Sequence, residues 1–327
     1  MSKIHPALAK VFRDFKYEEF AFLESLSESD QEKLAKLIDR RLEEESSGIY
    51  STLSFVSNIL PKFVKVRIAQ EMLGPKITAK MTSYVSTKQA VEMANALKPD
   101  FLAEVAIYLR PEEAAEVMSQ TRDSVLLAVT HKLIEQGQFQ TIASLAEHLP
   151  SPKLISLTRQ LNHPEAIVQI SNEMTNREKL VEIAVAMDDT FLRKLVDAIH
   201  YYQYYELAAM VGSKMPIERQ VRLLRQMDAS VAAKLAAHYE PELIGQILEH
   251  LNDEEAINIA MEMNPDTLAH LFNYLSADII NRILPYLSIE KIKQSKDFVN
   301  KMKIEKHWQE FTEQAQKILS ELFPNLG

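Results

Sequence analysis

The sequence predicts an all-α protein, a superhelical solenoid of short antiparallel helices with about 12 residues per helix and about 24 per hairpin. Three observations predict this fold. Only six of the 327 residues are glycine, where average usage would give roughly 23, and this disfavours folds with many tight turns. Apolar residues recur at spacings of three and four, as on one face of a helix. A large apolar residue also recurs every twelve residues, where one helix ends and the next begins.

The twelve-residue period is regular in the second half of the chain. It runs through Met215, Met227, Tyr239, Leu251, Met263, Leu275 and Leu287. The residue that follows is often a good helix N-cap, as at Asp228, Asn252, Asn264, Ser276 and Ser288. Prolines 216, 241 and 265 are predicted in first helical turns, where the missing N–H costs little. Upstream, Leu149, Leu161, Met174 and Met187 are spaced by twelve, thirteen and thirteen, and predict caps at Asn162, Thr175 and Asp188.

Each unit also predicts one buried stripe, because its apolar residues lie three and four positions apart. The stripes are Ile244, Ile247, Leu248 and Leu251; Ala256, Ile259, Ala260 and Met263; Leu268, Leu271, Phe272 and Leu275; and Ile280, Ile283, Leu284 and Leu287. A helix of about ten residues is marginal in water by itself. We therefore expect successive helices to stack, so that each buries surface against its neighbours.

Two segments resemble a known family. Residues 110–118 (RPEEAAEVM) and 251–257 (LNDEEAI) are similar to the short-helix repeats in the intracellular N-terminal domain of MgtE-type magnesium transporters. The resemblance covers about residues 86–290 and implies a superhelix of short helices, related to the armadillo-like arrays of the flagellar motor switch protein FliG. The transporter's membrane helices have no counterpart in this sequence, so we expect no magnesium transport.

The sequence predicts four segments. Residues 1–48 are predicted as an N-terminal helical cap, and residues 49–91 as an uncharged and then cationic helical segment. Residues 92–296 are predicted as the repeat array, with a joint near 200–206. Residues 297–327 are predicted as one C-terminal amphipathic capping helix, and the alternative is a self-association face that makes a homo-oligomer.

Composition excludes several classes of function. The chain has no cysteine, so disulfides, thiolate catalysis and Cys-ligated metals are excluded. The net charge of −9 makes nucleic-acid binding unlikely, because an acidic body repels phosphates. The N-terminus lacks the pattern of a signal peptide, and no apolar run is long enough to span a membrane. We expect a cytoplasmic protein.

No residue pattern predicts catalysis, a cofactor or a resident metal. Nine histidines are scattered without the H-E-x-x-H spacing, and no Walker A, G-x-S-x-G or G-x-G-x-x-G motif occurs. Acidic clusters occur at 112–113, 188–189 and 253–255. We interpret them as first-turn acids that complement the helix dipole, and the resemblance to the transporter leaves weak divalent-cation binding as the alternative. The chain is predicted not to be an enzyme.

The interruption of the period between Met187 and Met215 is the candidate partner-binding site. It contains His200, Tyr201, Tyr202, Tyr204 and Tyr205. Tyrosine side chains offer apolar area together with a hydroxyl, which is typical of binding hot spots. The alternative is that they fill an irregular joint. The predicted function is a non-catalytic scaffold that binds another protein.

A basic segment leads to a second hypothesis. Residues 46–61 carry no charge, and residues 49–91 hold six basic residues against one acid. An uncharged helix beside cations is typical of a surface that contacts anionic lipids. The candidate contacts are Lys62, Lys65, Arg67, Lys76 and Lys80. A peripheral membrane or lipid-binding protein that uses residues 49–80 is thus the alternative function, although burial of this helix by its neighbours explains the same pattern.

Overall fold

Short helices make up most of the chain. The computed structural model describes residues 27, 29–33, 35–36, 62–295 and 299–324. Residues 29–33 and 35–36 are helical, the described residues contain no β-strand, and the last two ranges contain 21 α-helices. They are α1 Lys62–Ile68, α2 Gly74–Met81, α3 Thr87–Ala94, α4 Pro99–Ala106, α5 Pro111–Gln120, α6 Asp123–Glu135, α7 Phe139–Ala146, α8 Ser151–Leu161, α9 Pro164–Glu173, α10 Arg177–Ala186, α11 Asp189–Tyr202, α12 Tyr205–Gly212, α13 Ile217–Leu224, α14 Ala229–Ala236, α15 Pro241–Glu249, α16 Asp253–Glu262, α17 Pro265–Phe272, α18 Ala277–Ile283, α19 Ile289–Ser295, α20 Lys301–Lys306 and α21 Glu313–Leu322. The all-α prediction is confirmed.

The helices belong to two units, residues 1–125 and residues 126–327. In unit 1, α1 packs on α3, α2 on α4 and α3 on α5. In unit 2 the odd-numbered helices from α7 to α21 form one row, and the even-numbered helices from α8 to α18 form another. Each helix of a row packs on the helix two positions later in the chain. Most of the predicted N-terminal cap lies outside the described residues, and the predicted domain boundaries stay predictions.

The structure places the corners between helices at the positions that the sequence predicts. Each apolar residue of the period from Met215 to Leu287 lies between two helices and directly precedes the N-cap. The side chains of Asn252, Asn264 and Ser276 accept hydrogen bonds from backbone N–H groups three residues later. Pro216 is itself the N-cap of α13, one residue earlier than predicted.

Two predicted caps are wrong by one residue. Asn162 adopts a left-handed conformation with φ 42° at the end of α8, and His163 caps α9 in its place. Asn176 rather than Thr175 caps α10. Each spacing of thirteen therefore reflects one extra residue in the corner, and this residue moves the cap by one position.

The twelve-residue period extends upstream to Val85 and downstream to Phe323. Val85, Leu97, Leu109 and Thr121 are also twelve residues apart, as are Val299, Phe311 and Phe323. A helix begins two residues after each of these positions up to Phe311. The single helix predicted over 297–327 is consequently two helices, α20 and α21. A corner at Phe311 separates them, and the side chain of Thr312 caps α21. The continued period is the signal that predicts this break.

The four predicted stripes are confirmed as core. All sixteen of their residues are buried, and they belong to one apolar cluster that continues to Phe323. The apolar residues of α21 join this cluster: Ala315, Leu319 and Leu322 are buried, and Ile318 packs against them. This packing supports the capping interpretation of the C-terminal segment, while self-association stays a prediction.

Lysine and arginine side chains link alternate corners. Four of them are the third residue of a helix. Each donates to backbone carbonyls in the corner before the helix that lies two positions earlier in the chain. Lys179 donates to Glu147 O and Leu149 O, Arg219 to Val185 O and Met187 O, Lys291 to Met261 O, and Lys303 to Asn273 O and Leu275 O. The last carbonyls of a helix have no partner within it and carry negative partial charge. These cations satisfy them.

We expect Leu271→Asp to lower the free energy of unfolding by at least about 4 kcal/mol, because it places a charge at a position that is only 2 % exposed. Urea unfolding followed by circular dichroism measures the change. Met261→Asp is the matched control, since Met261 is a helical residue with 52 % exposure, and it should cost less than about 1 kcal/mol. Equal losses in the two variants would contradict the assignment of the stripe.

We expect Lys303→Met to destabilise the protein by about 1–3 kcal/mol, because two corner carbonyls lose their donor. Lys306→Met changes an exposed lysine of the same helix and should leave stability within about 0.5 kcal/mol. Thermal unfolding of the two variants makes the comparison. A Lys303→Met protein as stable as the control would show that the bridge between corners contributes nothing.

Candidate functional site

The joint is a helix with one additional turn. The N-caps Asp188 and Tyr204 are sixteen residues apart, where the regular units have twelve. The four extra residues correspond to about one turn of α-helix, and α11 has 14 residues. Helix α6, with 13 residues, is the only other helix of such length in the described part of the chain.

The chain leaves α11 through a Schellman motif. The N–H of Tyr204 donates to Ile199 O at 3.1 Å, and the N–H of Gln203 donates to His200 O at 3.3 Å. This motif needs a left-handed residue, and Gln203 has φ 59°. Gly137, which follows the end of α6, makes the same motif with φ 67°. The sequence does not predict this conformation for Gln203, because glycine or asparagine usually occupies the left-handed position.

Three of the tyrosines form one group beside α9. Tyr201 and Tyr202 meet edge to face with ring centroids 4.9 Å apart, and Tyr202 stacks on Tyr204 at 5.7 Å. Gln169 of α9 donates from Nε2 to Tyr202 Oη at 3.0 Å. Tyr201 is 78 % exposed, whereas Tyr202 and Tyr204 are partly buried. The packed rings therefore hold an exposed tyrosine in a defined position.

His200 and Tyr205 form a second group beside α14. His200 Nδ1 is hydrogen-bonded to Tyr205 Oη, and the Tyr205 ring stacks on His238 at 6.0 Å. Tyr205 is buried among Val196 and other apolar residues. Its burial raises the pKa of the Tyr205 hydroxyl. This side chain is part of the core and fills the joint, as the alternative interpretation expected.

An open depression lies above the joint. It has a volume of about 550 Å³ and is lined by Asp197, His200, Tyr201, Gln203, Tyr205 and Lys234. Asp197, Tyr201, Gln203 and Lys234 are exposed. The surface thus offers an aromatic ring, an amide and both signs of charge within one concavity. Asp197 and Lys234 were not predicted as part of this surface. Lys234 belongs to α14, and no local signal in the sequence connects it with the joint.

Of the predicted basic segment, the structure describes residues 62–91. Lys62 begins α1, Lys65 and Lys80 are partly buried, and Lys76 is exposed. Arg67 is exposed and pairs with Glu71 at 2.9 Å. Residues 49–61, the uncharged half of this candidate lipid surface, lie outside the described residues. Among the described residues, no helix is both long and apolar enough to cross a membrane.

The acidic clusters lie in the first turns of α5, α11 and α16, as the dipole interpretation predicted. Two of these acids also form ion pairs with arginine side chains of the protein. Asp189 pairs with Arg219 at 2.8 Å and with Arg222 at 3.1 Å, and Asp253 pairs with Arg282 at 2.6 Å. The Arg219 guanidinium lowers the pKa of Asp189. In the part of the chain that the structure describes, no three His, Asp or Glu side chains are grouped to hold a metal ion.

Comparison with known proteins agrees with the predicted resemblance in one region. A family model described as the MgtE intracellular N domain matches residues 202–300, the helices from α12 to α19 that carry the regular period. The resemblance to a helical array of this kind is confirmed there. Upstream of residue 202 it stays a prediction. No curated protein and no solved structure matches the chain.

We expect Gln203→Gly to stabilise the protein by about 1 kcal/mol, because glycine adopts positive φ without the steric cost that a side chain incurs. Gln246→Gly is the control, since Gln246 lies exposed within α15, where glycine should cost about 1 kcal/mol. Chemical unfolding of both variants gives the two signs. A loss of stability in Gln203→Gly would argue against the left-handed end of α11.

Proposed function

We propose that unit 2 is a non-catalytic scaffold that binds a protein partner at the depression beside α11 and α12. The observation that carries this proposal is the geometry of Tyr201, which is 78 % exposed and supported edge-on by Tyr202. A tyrosine held in this way offers apolar contact and a hydroxyl, and little side-chain entropy is lost when a partner binds.

The arrangement of helices supports a scaffold role. The two rows of unit 2 repeat the same packing step from α7 to α21, and we propose that they continue as a superhelical stack. Stacks of this kind present extended surfaces whose binding specificity comes from the side chains they display. The family model matched at residues 202–300 is described as an intracellular domain, which supports a cytoplasmic location.

Tyr201 is a better residue to substitute than Tyr205, because Tyr205 is buried. Substitution of Tyr205 would open the core and confuse loss of binding with loss of fold, because this side chain is 8 % exposed. Tyr201→Ala removes the exposed ring alone, and we expect it to change stability by less than about 0.5 kcal/mol. Tyr286→Ala is the matched control, since Tyr286 is 61 % exposed and lies near the end of α18, away from the joint in sequence.

We expect a photo-crosslinking amino acid at position 201 to capture a specific protein in the native cell, and the same amino acid at position 286 to capture none. With that partner purified, Tyr201→Ala should weaken binding at least about tenfold, the loss typical of a hot-spot residue. Titration calorimetry measures the affinity. Equal cross-linking from both positions, or unchanged affinity in Tyr201→Ala, would overturn the proposal.

Binding to an anionic membrane through residues 49–80 remains the alternative. Lys76 is exposed and available for such contact, whereas the ion pair of Arg67 with Glu71 reduces the net positive charge of the surface. Flotation with vesicles that contain anionic phospholipid at low salt decides between the two, because electrostatic attraction is strongest there. A chain that stays at the bottom of the gradient removes the lipid hypothesis.

A further inference from the structure

The depression at the joint is lined by one acid and one lysine, Asp197 and Lys234, and the acid already has a partner. Arg193 donates from Nη1 to the Asp197 carboxylate at 2.7 Å. The same guanidinium donates from Nε to Gln226 O at 2.7 Å, which holds it in place beside Asp197. The negative charge of Asp197 is therefore offset within the protein.

The charge of Lys234 is not offset in this way. Its side chain is exposed and forms no ion pair or hydrogen bond with any residue that the structure describes. The residues three and four positions away on α14 and just beyond it are Ser230, Val231, Ala237 and His238, so the helix places no acid beside this lysine. The ammonium group is consequently available to a carboxylate of another molecule.

The helices around the joint have the same sign of charge. Residues 189–239, which include α11 to α14, contain seven lysine and arginine residues against five aspartate and glutamate residues, a net charge of +2. The whole chain has a net charge of −9, so the other residues together carry −11. The joint thus lies in a positive region of an acidic chain, and a negatively charged partner is attracted there and repelled by the acidic parts.

Two neutral side chains complete this surface. The exposed ring of Tyr201 offers apolar area and is held edge-on by Tyr202. Gln203 is exposed, and its side-chain amide makes no hydrogen bond to the described residues, so it can donate to a carboxylate or to a peptide carbonyl. The depression therefore suits a chain segment that carries an acidic side chain next to an apolar one.

We propose that the partner surface at the joint is specific for an acidic protein segment. An aspartate or glutamate of this segment accepts a hydrogen bond from the Lys234 ammonium, while a neighbouring apolar side chain packs on the Tyr201 ring. This inference rests on the proposed scaffold function and adds the chemistry of the partner. A basic segment would have to displace Arg193 from Asp197 and approach Lys234, so like charges oppose it.

A phage-displayed library of random peptides, panned on the full chain, supplies the probes. Peptides that bind the unsubstituted protein but not Tyr201→Ala bind at the joint. We expect these peptides to be enriched in aspartate and glutamate beside an aromatic or aliphatic residue. Enrichment of lysine and arginine would show that Asp197 is the charge that is recognised, and it would overturn the inference.

A charge reversal tests the role of Lys234 with one acidic peptide selected in this way. We expect Lys234→Glu to weaken binding at least about tenfold, because attraction is replaced by repulsion. The same peptide with lysine in place of its acid should bind Lys234→Glu better than it binds the unsubstituted protein. Fluorescence anisotropy measures the affinities, and Lys234→Met, which removes the charge alone, should give a smaller loss.

Lys214→Glu is the matched control. Lys214 is an exposed lysine of the same positive region that does not line the depression, so this variant makes the same change in net charge and should alter the affinity by less than about threefold. Equal losses in Lys214→Glu and Lys234→Glu would show a general effect of charge and overturn the contact with Lys234.

The outcomes separate this inference from the proposed function. Joint-binding peptides without an acid, or an affinity that Lys234→Glu leaves unchanged, would overturn the acidic specificity and retain the partner surface. A library that yields no peptide dependent on Tyr201 would overturn the inference, and cross-linking from position 201 then tests the partner surface by itself.

Discussion

The structure depends on the packing of each short helix on the helix two positions later. A helix of seven to ten residues cannot hold itself together in water, because the cost of nucleation is shared over too few hydrogen bonds. Stacking removes this limit, since each stripe is buried between neighbours and the last carbonyls of a helix are satisfied from the next layer. Lys179, Arg219 and Lys303 show the consequence. A cation in a first helical turn opposes the dipole of its own helix, yet here it binds the negative corner of another.

The same constraint explains why the joint differs from the regular units. Helix α11 has 14 residues, whereas α9 and α13 beside it in the row have 10 and 8. The last turn of α11 carries Tyr201, which is 78 % exposed. Gln203, at positive φ, ends the turn in a conformation that most residues avoid.

Much of the fold could be predicted because its signals are local. Stripes such as Leu268, Leu271 and Phe272 follow from helical spacing, and caps such as Asn264 follow from hydrogen bonds three residues apart. The errors also have local causes. Asn162 took a left-handed position and passed the cap to His163, and a corner at Phe311 divided a segment that looks amphipathic from end to end. The candidate site was harder to predict, since five neighbouring aromatic residues carry no sign of which side chains are buried.

By itself the sequence determined the class of fold, the length of the repeat, the buried stripes and the place where the repeat is interrupted. These properties depend on side-chain periodicity and capping, which act over a few residues. Only the tertiary structure decided that Tyr205 belongs to the core while Tyr201 faces solvent, and that Lys234 joins the depression. Each of these depends on contacts between helices about thirty residues apart, and no spacing within one helix encodes them.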